Sequence, residues 1–390
     1  MRILMINVVC GIRSTGRICT DIALSLEKQG HEVKIAYGRG IIPEIYRKYA
    51  VRIGSDLDVK IHGIKSRLFD DCGLGSKKST EHFIEWVKKY DPDIIHLHNI
   101  HGYYINIEVL FNYLHTCGKK IVWTLHDCWA FTGHAAYCEI ANCNRWSTGC
   151  NKCPKRKDYP AAFIDASKRN WKRKKELFTD LSSMILVTPS VWLADLVKRS
   201  YLKDYRTIVI NNGVDIHRFK ENDACSQNKF DTDNKTVILG VAAVWNERKG
   251  LNDFLEIRKK LDDRYTFILI GLNKKQISEL PNGITGIEHT NSVDELVELY
   301  SLADVFINPT YEDNYPTTNL EAIACGTPVI TYCTGGSGES AKFFGKVVNK
   351  GDIDTICDYI KSNDFKCNIK REQISIEKMV DKYINLYSSV

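Results

Sequence analysis

Arg2-Ile-Leu-Met-Ile-Asn-Val-Val9, the polar stretch Gly11-Ile-Arg-Ser-Thr-Gly-Arg17, a run with Ile18, Ile22 and Leu26, then Gly30 and Val33-Lys-Ile-Ala-Tyr37 decide the fold. The first run is short and apolar, as a strand buried on both faces must be. Spacing of four between Ile18, Ile22 and Leu26 marks an amphipathic helix. Gly30 stands where such a helix stops, and Val33–Tyr37 reads as the next strand. Strand, helix and strand in this order imply a right-handed parallel crossover.

Working outward, the same grammar recurs. Asp93–His98, Lys120–Leu125, Met184–Thr188 and Thr207–Ile210 read as strands, with helices over Ile105–His115 and Val191–Ser200. After a polar, turn-rich stretch from Glu221 to Asn234 the pattern restarts. Strands are expected at Thr236–Gly240, Tyr265–Ile270, Val305–Ile307 and Pro328–Thr331, with helices at Gly250–Leu261, Val293–Leu302 and Asn319–Ala324. A last helix is expected over Ile374–Tyr387. No repeat of 20 to 50 residues is visible, which favours two doubly wound domains over a solenoid. A chain of 390 residues exceeds what one core supports. The expectation is α/β: two doubly wound, Rossmann-like domains at 1–200 and 201–370, with residues 371–390 returning to the first.

Composition narrows the function. The chain is 44% hydrophobic with 54 Lys+Arg against 48 Asp+Glu, a net charge of +6. That balance is too small to suggest a nucleic-acid binder. No run of apolar residues is long enough for a spanning helix. Asn7 interrupts the first apolar run and no small-residue cleavage site follows, so it reads as a buried strand of a cytoplasmic protein rather than a signal peptide.

Ligands of open parallel sheets bind at the carboxyl ends of strands. Gly11–Arg17 is neither a dinucleotide nor a Walker loop; it reads either as an anion-approach loop with Gly16 and Arg17 or as an ordinary tight turn. His98 and His101, and His126 and Asp127, follow two neighbouring strands. Richest is Asn308-Pro-Thr-Tyr-Glu-Asp-Asn-Tyr-Pro-Thr-Thr-Asn-Leu-Glu-Ala-Ile-Ala-Cys-Gly-Thr-Pro-Val-Ile330. Here Asp313 lies in a turn closed by Pro316. The amides of Thr317 and Thr318 would be helix N-terminal donors suited to a diphosphate. Glu321, one turn further in, is placed to accept two sugar hydroxyls.

Asp313-x7-Glu321 with its Glu-Ala-Ile-Ala-Cys-Gly-Thr-Pro-Val tail resembles the acid-x7-acid signature of glycosyltransferase family 4, retaining enzymes of the GT-B fold. Asn211-Asn-Gly-Val-Asp215, Arg248-Lys-Gly250 and Gly335-Gly-Ser-Gly-Glu339 resemble the family's linker, Lys-Gly and glycine-loop regions, so the likeness spans essentially the whole chain. It implies roles. Glu321 binds the nucleotide ribose, Asp313 and the backbone after it hold the donor sugar, and Lys249 neutralises the departing diphosphate without a catalytic metal. His126 lies beside the transferred sugar, and Gly16 approaches the phosphates. The sequence departs from the pattern twice: Asp313 replaces the usual Glu beside an adjacent Glu312, and Ala243-Val-Trp245 stands where an arginine is usual, with Arg248 as its substitute. The implied reaction moves a sugar from a nucleotide-sugar donor, UDP- rather than GDP-linked, to a saccharide or polyprenyl-diphosphate-linked acceptor in bacterial surface-polysaccharide assembly. The alternatives are a nucleotide-sugar epimerase of the same fold and a zinc-knuckle nucleic-acid binder.

Two features lie outside that signature. Cys138, Cys143, Cys150 and Cys153 occupy an insert at about 128–160 with ligand-like spacing for a structural zinc, with Cys128 or His134 as substitute ligands. Thiol packing and disulfides are the other readings. Cys10, Cys19, Cys325 and Cys333 read as core filler. Lys152, Lys155, Arg156, Lys157, Lys168, Arg169, Lys172, Arg173, Lys174 and Lys175 crowd one stretch. They form either a solvated face or a contact with an anionic membrane surface, as a peripheral enzyme on the inner face of the cytoplasmic membrane would need.

Overall fold

The computed structural model describes residues 1–222, 230, 232, 234–365 and 370–389. Most of the turn-rich stretch expected at 221–234 lies outside these residues. The chain divides into two compact units, Met1–Asn211 with Val380–Val390 and Asn212–Met379. In the first, β1 (Arg2–Asn7), α1 (Arg13–Lys28), β2 (Glu32–Tyr37), β3 (Ala50–Arg52), α2 (Asp56–Phe69), α3 (Lys77–Tyr90), β4 (Ile94–Leu97) and α4 (Ile107–Leu114) are followed by β5 (Lys120–Thr124), α5 (Ser167–Phe178), β6 (Met184–Thr188), α6 (Val191–Lys198) and β7 (Thr207–Val209). The strands form one parallel sheet in the order β3-β2-β1-β4-β5-β6-β7. Because β7 pairs with β6, the first unit runs to Asn211, beyond the expected boundary at 200.

The second unit holds β8 (Thr236–Val241), α7 (Leu251–Lys260), β9 (Tyr265–Ile270), α8 (Lys274–Ser278), β10 (Ile284–Ile287), α9 (Val293–Leu302) and β11 (Val305–Asn308), then α10 (Thr317–Ala324), β12 (Val329–Tyr332), α11 (Ser337–Ala341), β13 (Gly345–Val348) and α12 (Ile353–Ser362). Its sheet, β10-β9-β8-β11-β12-β13, is again parallel. Alternation decides its packing. Val237, Leu239, Ile268 and Phe306 enter one core, while Ile238, Phe267, Leu269 and Ile307 enter the other. Both faces are therefore covered, which is why these strands read as continuous apolar runs.

Helix α13 (Ile376–Ser389) begins in the second unit, and from Val380 onward it belongs to the first. There Tyr387 and Tyr383 bury their hydroxyls against His96 and Thr124 at 2.6 and 3.0 Å. No helix among the described residues is long and apolar enough to cross a membrane.

Candidate functional site

The acidic stretch of the second unit folds as a turn between β11 and α10. Asn319 ties it together from inside: its Nδ2 donates to Ser337 O, Ser337 Oγ and Ser340 Oγ, and its Oδ1 accepts from Asn308 Nδ2 at 2.8 Å. Thr331 bonds to Asn308 O at 2.7 Å, and Thr334 donates to Thr310 O at 2.6 Å. Buried hydroxyls and amides satisfied in this way fix the loop. Gly335 comes so close that a Cβ there would lie 1.8 Å from the Asp313 carbonyl oxygen, at a φ of +53°. A glycine is required by contact as well as by conformation.

On this frame, Lys249 and Asp313 form an ion pair, Nζ to Oδ2 at 2.5 Å, with each side chain 17% exposed. Burial pushes the Asp313 carboxyl up, but the Lys249 ammonium, then Arg248 and the Asn314 amide, outweigh it and hold the group below the ordinary carboxylate range. Arg248 is anchored apart from this pair, donating from Nη1 to Glu312 O at 2.7 Å. The adjacent acid Glu312 is buried, whereas Asp313 faces the lysine. Thr317 and Thr318 open α10 after Pro316, with no side-chain cap on the helix. An uncapped N-terminus leaves amide donors and the positive end of the helix dipole for an anion. Glu321 is buried one turn further in, where its Oε2 accepts from Tyr300 OH at 3.1 Å. Tyr300 carried no signal in the sequence, since it follows the apolar spacing of α9.

In the first unit the structure brings the four expected histidine-loop residues into two pairs. His98 Nδ1 and His126 Nε2 are 3.0 Å apart, so one ring donates and the other accepts. Their planes stack with centroids 5.3 Å apart, and His96 lies 4.0 Å from His98. Burial pushes the His126 imidazole down to about 4 and holds His98 well below its usual range, so both are neutral near pH 7. His101 Nε2 meets Asp127 Oδ2 at 2.9 Å, and Trp129 N–H donates to Asp127 Oδ1 at 2.9 Å. Burial raises the Asp127 carboxyl, but His101 and the Trp129 amide more than offset it, and the group lies below its usual range.

Gly16 and Arg17 require a correction. They do not lie in a polar loop, because α1 already starts at Arg13 and contains both. Gly16 is buried in close contact: a Cβ there would lie 3.0 Å from Val9 Cγ2. Arg17 is exposed on the same helix. The cysteine insert is also clearer. Cys138, Cys143, Cys150 and Cys153 line one cavity with His134. His134 Nδ1 is held by Asp70 at 2.5 Å, and its buried Nε2 has no partner among the described residues. As placed, however, no three His, Cys, Asp or Glu side chains among the described residues are grouped to hold a metal ion. Cys333 is exposed, contrary to its reading as core filler, whereas Cys10, Cys19 and Cys325 are buried.

The run of ten cations is not one charged face. Lys174 is buried, with its ammonium 3.4 Å from the Trp129 ring centroid and donating to Trp129 O and Thr132 O. Its burial pulls it down to about 7. Arg169, Arg173 and Lys155 pair with Asp71, Glu108 and Asp158.

Comparison with known proteins places this arrangement. Residues 15–218 match the sequence model described as Glycosyltransferase Family 4, and residues 235–362 match Glycosyl transferases group 1. The putative colanic acid biosynthesis glycosyl transferase WcaC of Escherichia coli K12 is 25% identical over 320 residues, 77% of each chain. The N,N'-diacetylbacillosaminyl-diphospho-undecaprenol alpha-1,3-N-acetylgalactosaminyltransferase of Campylobacter jejuni is 24% identical over 221 residues, 50% of this chain and 58% of its own length. Among solved structures, the sucrose-phosphate synthase of Thermosynechococcus elongatus superposes with a TM-score of 0.73 at 16% identity, covering 100% of this chain and 98% of its own. HepE of Anabaena in complex with UDP-glucose gives 0.67 at 14% identity, covering 100% of both chains. The chain belongs to glycosyltransferase family 4, and the protein is a glycosyltransferase of the GT-B fold.

Proposed function

We propose that the enzyme transfers a sugar, with retention, from a UDP-sugar to a polyprenyl-diphosphate-linked saccharide during assembly of a bacterial surface polysaccharide. The carrying observation is the Lys249–Asp313 pair on the frame that also positions the uncapped start of α10 and buried Glu321. A nucleoside diphosphate needs those three features together: a cation for the charge that grows as it leaves, amides for its phosphates, and a carboxylate for the ribose hydroxyls. Asp313 and the backbone after it orient the donor sugar. Lys249 and Arg248 supply positive charge, so the departing diphosphate is stabilised by side chains. Neutral His126 gives the transferred sugar a hydrogen bond rather than a proton, and the leaving phosphate accepts the acceptor's proton on the same face. His101 and Asp127 are the acceptor-side pair, with His98 behind His126. The acceptor class follows the printed names of the relatives, one of which acts on a diphospho-undecaprenol.

A panel of UDP- and GDP-sugars screened by thermal shift tests the donor reading. A bound nucleotide sugar at a hundred times its Kd should stabilise by about 2.7 kcal/mol, visible as a raised melting temperature. UDP-sugars should shift it and GDP-sugars should not; a flat panel removes the reading. Release of UDP that depends on a lipid-linked acceptor, with the donor's anomeric configuration kept in the product, tests the rest.

The structural zinc is likewise proposed, on the shared cavity of the four thiols and the unpartnered His134 Nε2. Tetrahedral thiolate coordination would require those thiols to close in on one point. Elemental analysis after purification without chelators should find about one zinc per chain. Its absence ends the proposal.

A further inference from the structure

Helix α2 faces its unit with His62, Ser66 and half-buried Val59. Only His62 and Ser66 are buried along it. His62 accepts the Gly73 and Gly75 amides at 3.2 and 3.1 Å and meets Ser76 Oγ at 3.0 Å. The large aliphatic residues point the other way. Leu57, Ile61, Ile64 and Leu68 are 65%, 45%, 61% and 43% exposed. At about 100° per residue they fall within one arc of roughly 60°. Lys60 and Arg67 border that arc on one side and Lys65 on the other, and none of the three forms an ion pair among the described residues.

The strip continues past the helix. Exposed Phe69 ends α2 after Leu68, and beyond the helix exposed Phe163 and Ile164 lie beside them. Phe163 N–H donates to Arg67 O at 2.8 Å, and the Arg67 guanidinium lies 5.3 Å from the Phe163 ring centroid. Arg169 reaches from α5 to Phe69 O at 3.2 Å, so the basic stretch borders the strip rather than forming it. At the other end Ile41 and Ile42 share a groove with Arg47, Arg52 and Asp56, where α2 starts. Scattered exposed aliphatics need no explanation, whereas a continuous apolar strip edged by cations marks a contact surface.

We propose that this face, α2 with Phe163 and Ile164, docks on an anionic lipid surface. The aliphatic stripe would enter the boundary of the acyl chains, with Lys60, Lys65 and Arg67 at the headgroups. Charge selects the lipid over a second copy of the chain. The acids of the helix, Asp56 and Asp58, are engaged with Arg52 and in the Ser55 capping box, so two copies would oppose cation to cation. The inference deepens the lipid-linked acceptor reading, because such an acceptor presents its sugar at a membrane surface.

The test is flotation of the full chain with vesicles of phosphatidylcholine alone or mixed with phosphatidylglycerol, without donor or acceptor. The wild type should bind the anionic vesicles at least about tenfold more tightly, and salt should weaken it. Ile61→Glu with Ile64→Glu should lose about tenfold or more, because both sites are exposed and their charge opposes insertion. Lys60→Ala, Lys65→Ala and Arg67→Ala should each lose about fivefold. If the glutamate variant melts early, the alanine series carries the test, since those side chains are exposed and form no ion pair among the described residues. Absence of anionic binding, equal binding by every variant, or a dimer on sizing that the glutamate variant dissolves would each overturn the proposal. Transfer to a water-soluble acceptor, measured on the same preparations, separates failure here from failure of the proposed reaction.

Discussion

Glu321→Ala is expected to lower kcat/KM for the donor by about 10²–10⁴-fold while leaving a folded protein. Two hydroxyls bound to one carboxylate are charge-assisted hydrogen bonds of about 1.5–3 kcal/mol each, and every 1.4 kcal/mol is tenfold. The residue is buried, on a short helix whose neighbour Asn319 is locked by four hydrogen bonds, so substrate meets a fixed carboxylate. Alanine also leaves the Tyr300 hydroxyl without its Glu321 acceptor, a cost in stability of about 1–3 kcal/mol. Tyr300→Phe separates the two effects: it removes the hydroxyl, leaves the carboxylate, and should keep most of the transfer rate. Steady-state kinetics with varied donor, beside melting curves for both variants, decide it. Turnover retained by Glu321→Ala would sink the ribose assignment.

Why Glu321 was legible and Tyr300 was not is a matter of range. The acid-x7-acid spacing is local: a turn, a proline and one turn of helix set it, so chain order alone places Asp313 and Glu321. Tyr300 joins the site only because α9 packs against α10 in space. The parallel sheets were legible for a related reason, since strands covered on both faces must be apolar throughout. Helix α2 was not, because its large aliphatic residues face outward while His62, Ser66 and half-buried Val59 face in, close to the reverse of the pattern that marks a core helix.

The first loop misled in a different way. Gly11 and Gly16 read as one turn, yet α1 begins at Arg13, at a φ of +56°, behind Ile12, which offers no side-chain cap. A helix without a Ser, Thr, Asp or Asn cap gives the sequence no start signal. Lys174 misled through its neighbours in sequence. Within a basic run it reads as solvated, but Trp129 and two carbonyls, more than forty residues away, bury it.

Lys249→Ala is expected to cost about 10²–10³-fold in kcat, the scale of losing one group that stabilises developing charge. The residue also has a structural partner, so rate alone would not separate the two roles; pH does. The folded Asp313 carboxyl is held below its ordinary range by the lysine and by Arg248, against its burial. A carboxyl depressed on folding contributes stability above its unfolded pKa, and that contribution is lost as pH falls through the lower, folded value. Removing Lys249 therefore destabilises by about 1–3 kcal/mol at neutral pH, where Asp313 is charged and largely buried without its cation. The deficit should shrink as the pH falls into the carboxylate range, until the melting temperatures of variant and wild type converge. The kinetic loss, normalised to folded protein at neutral pH, should persist at temperatures where the variant is fully folded. A variant that melts early but keeps its rate per folded molecule would make Lys249 only the structural counterion of Asp313. A variant that loses rate but shows no pH-dependent convergence would instead remove the ion pair from the stability of the loop.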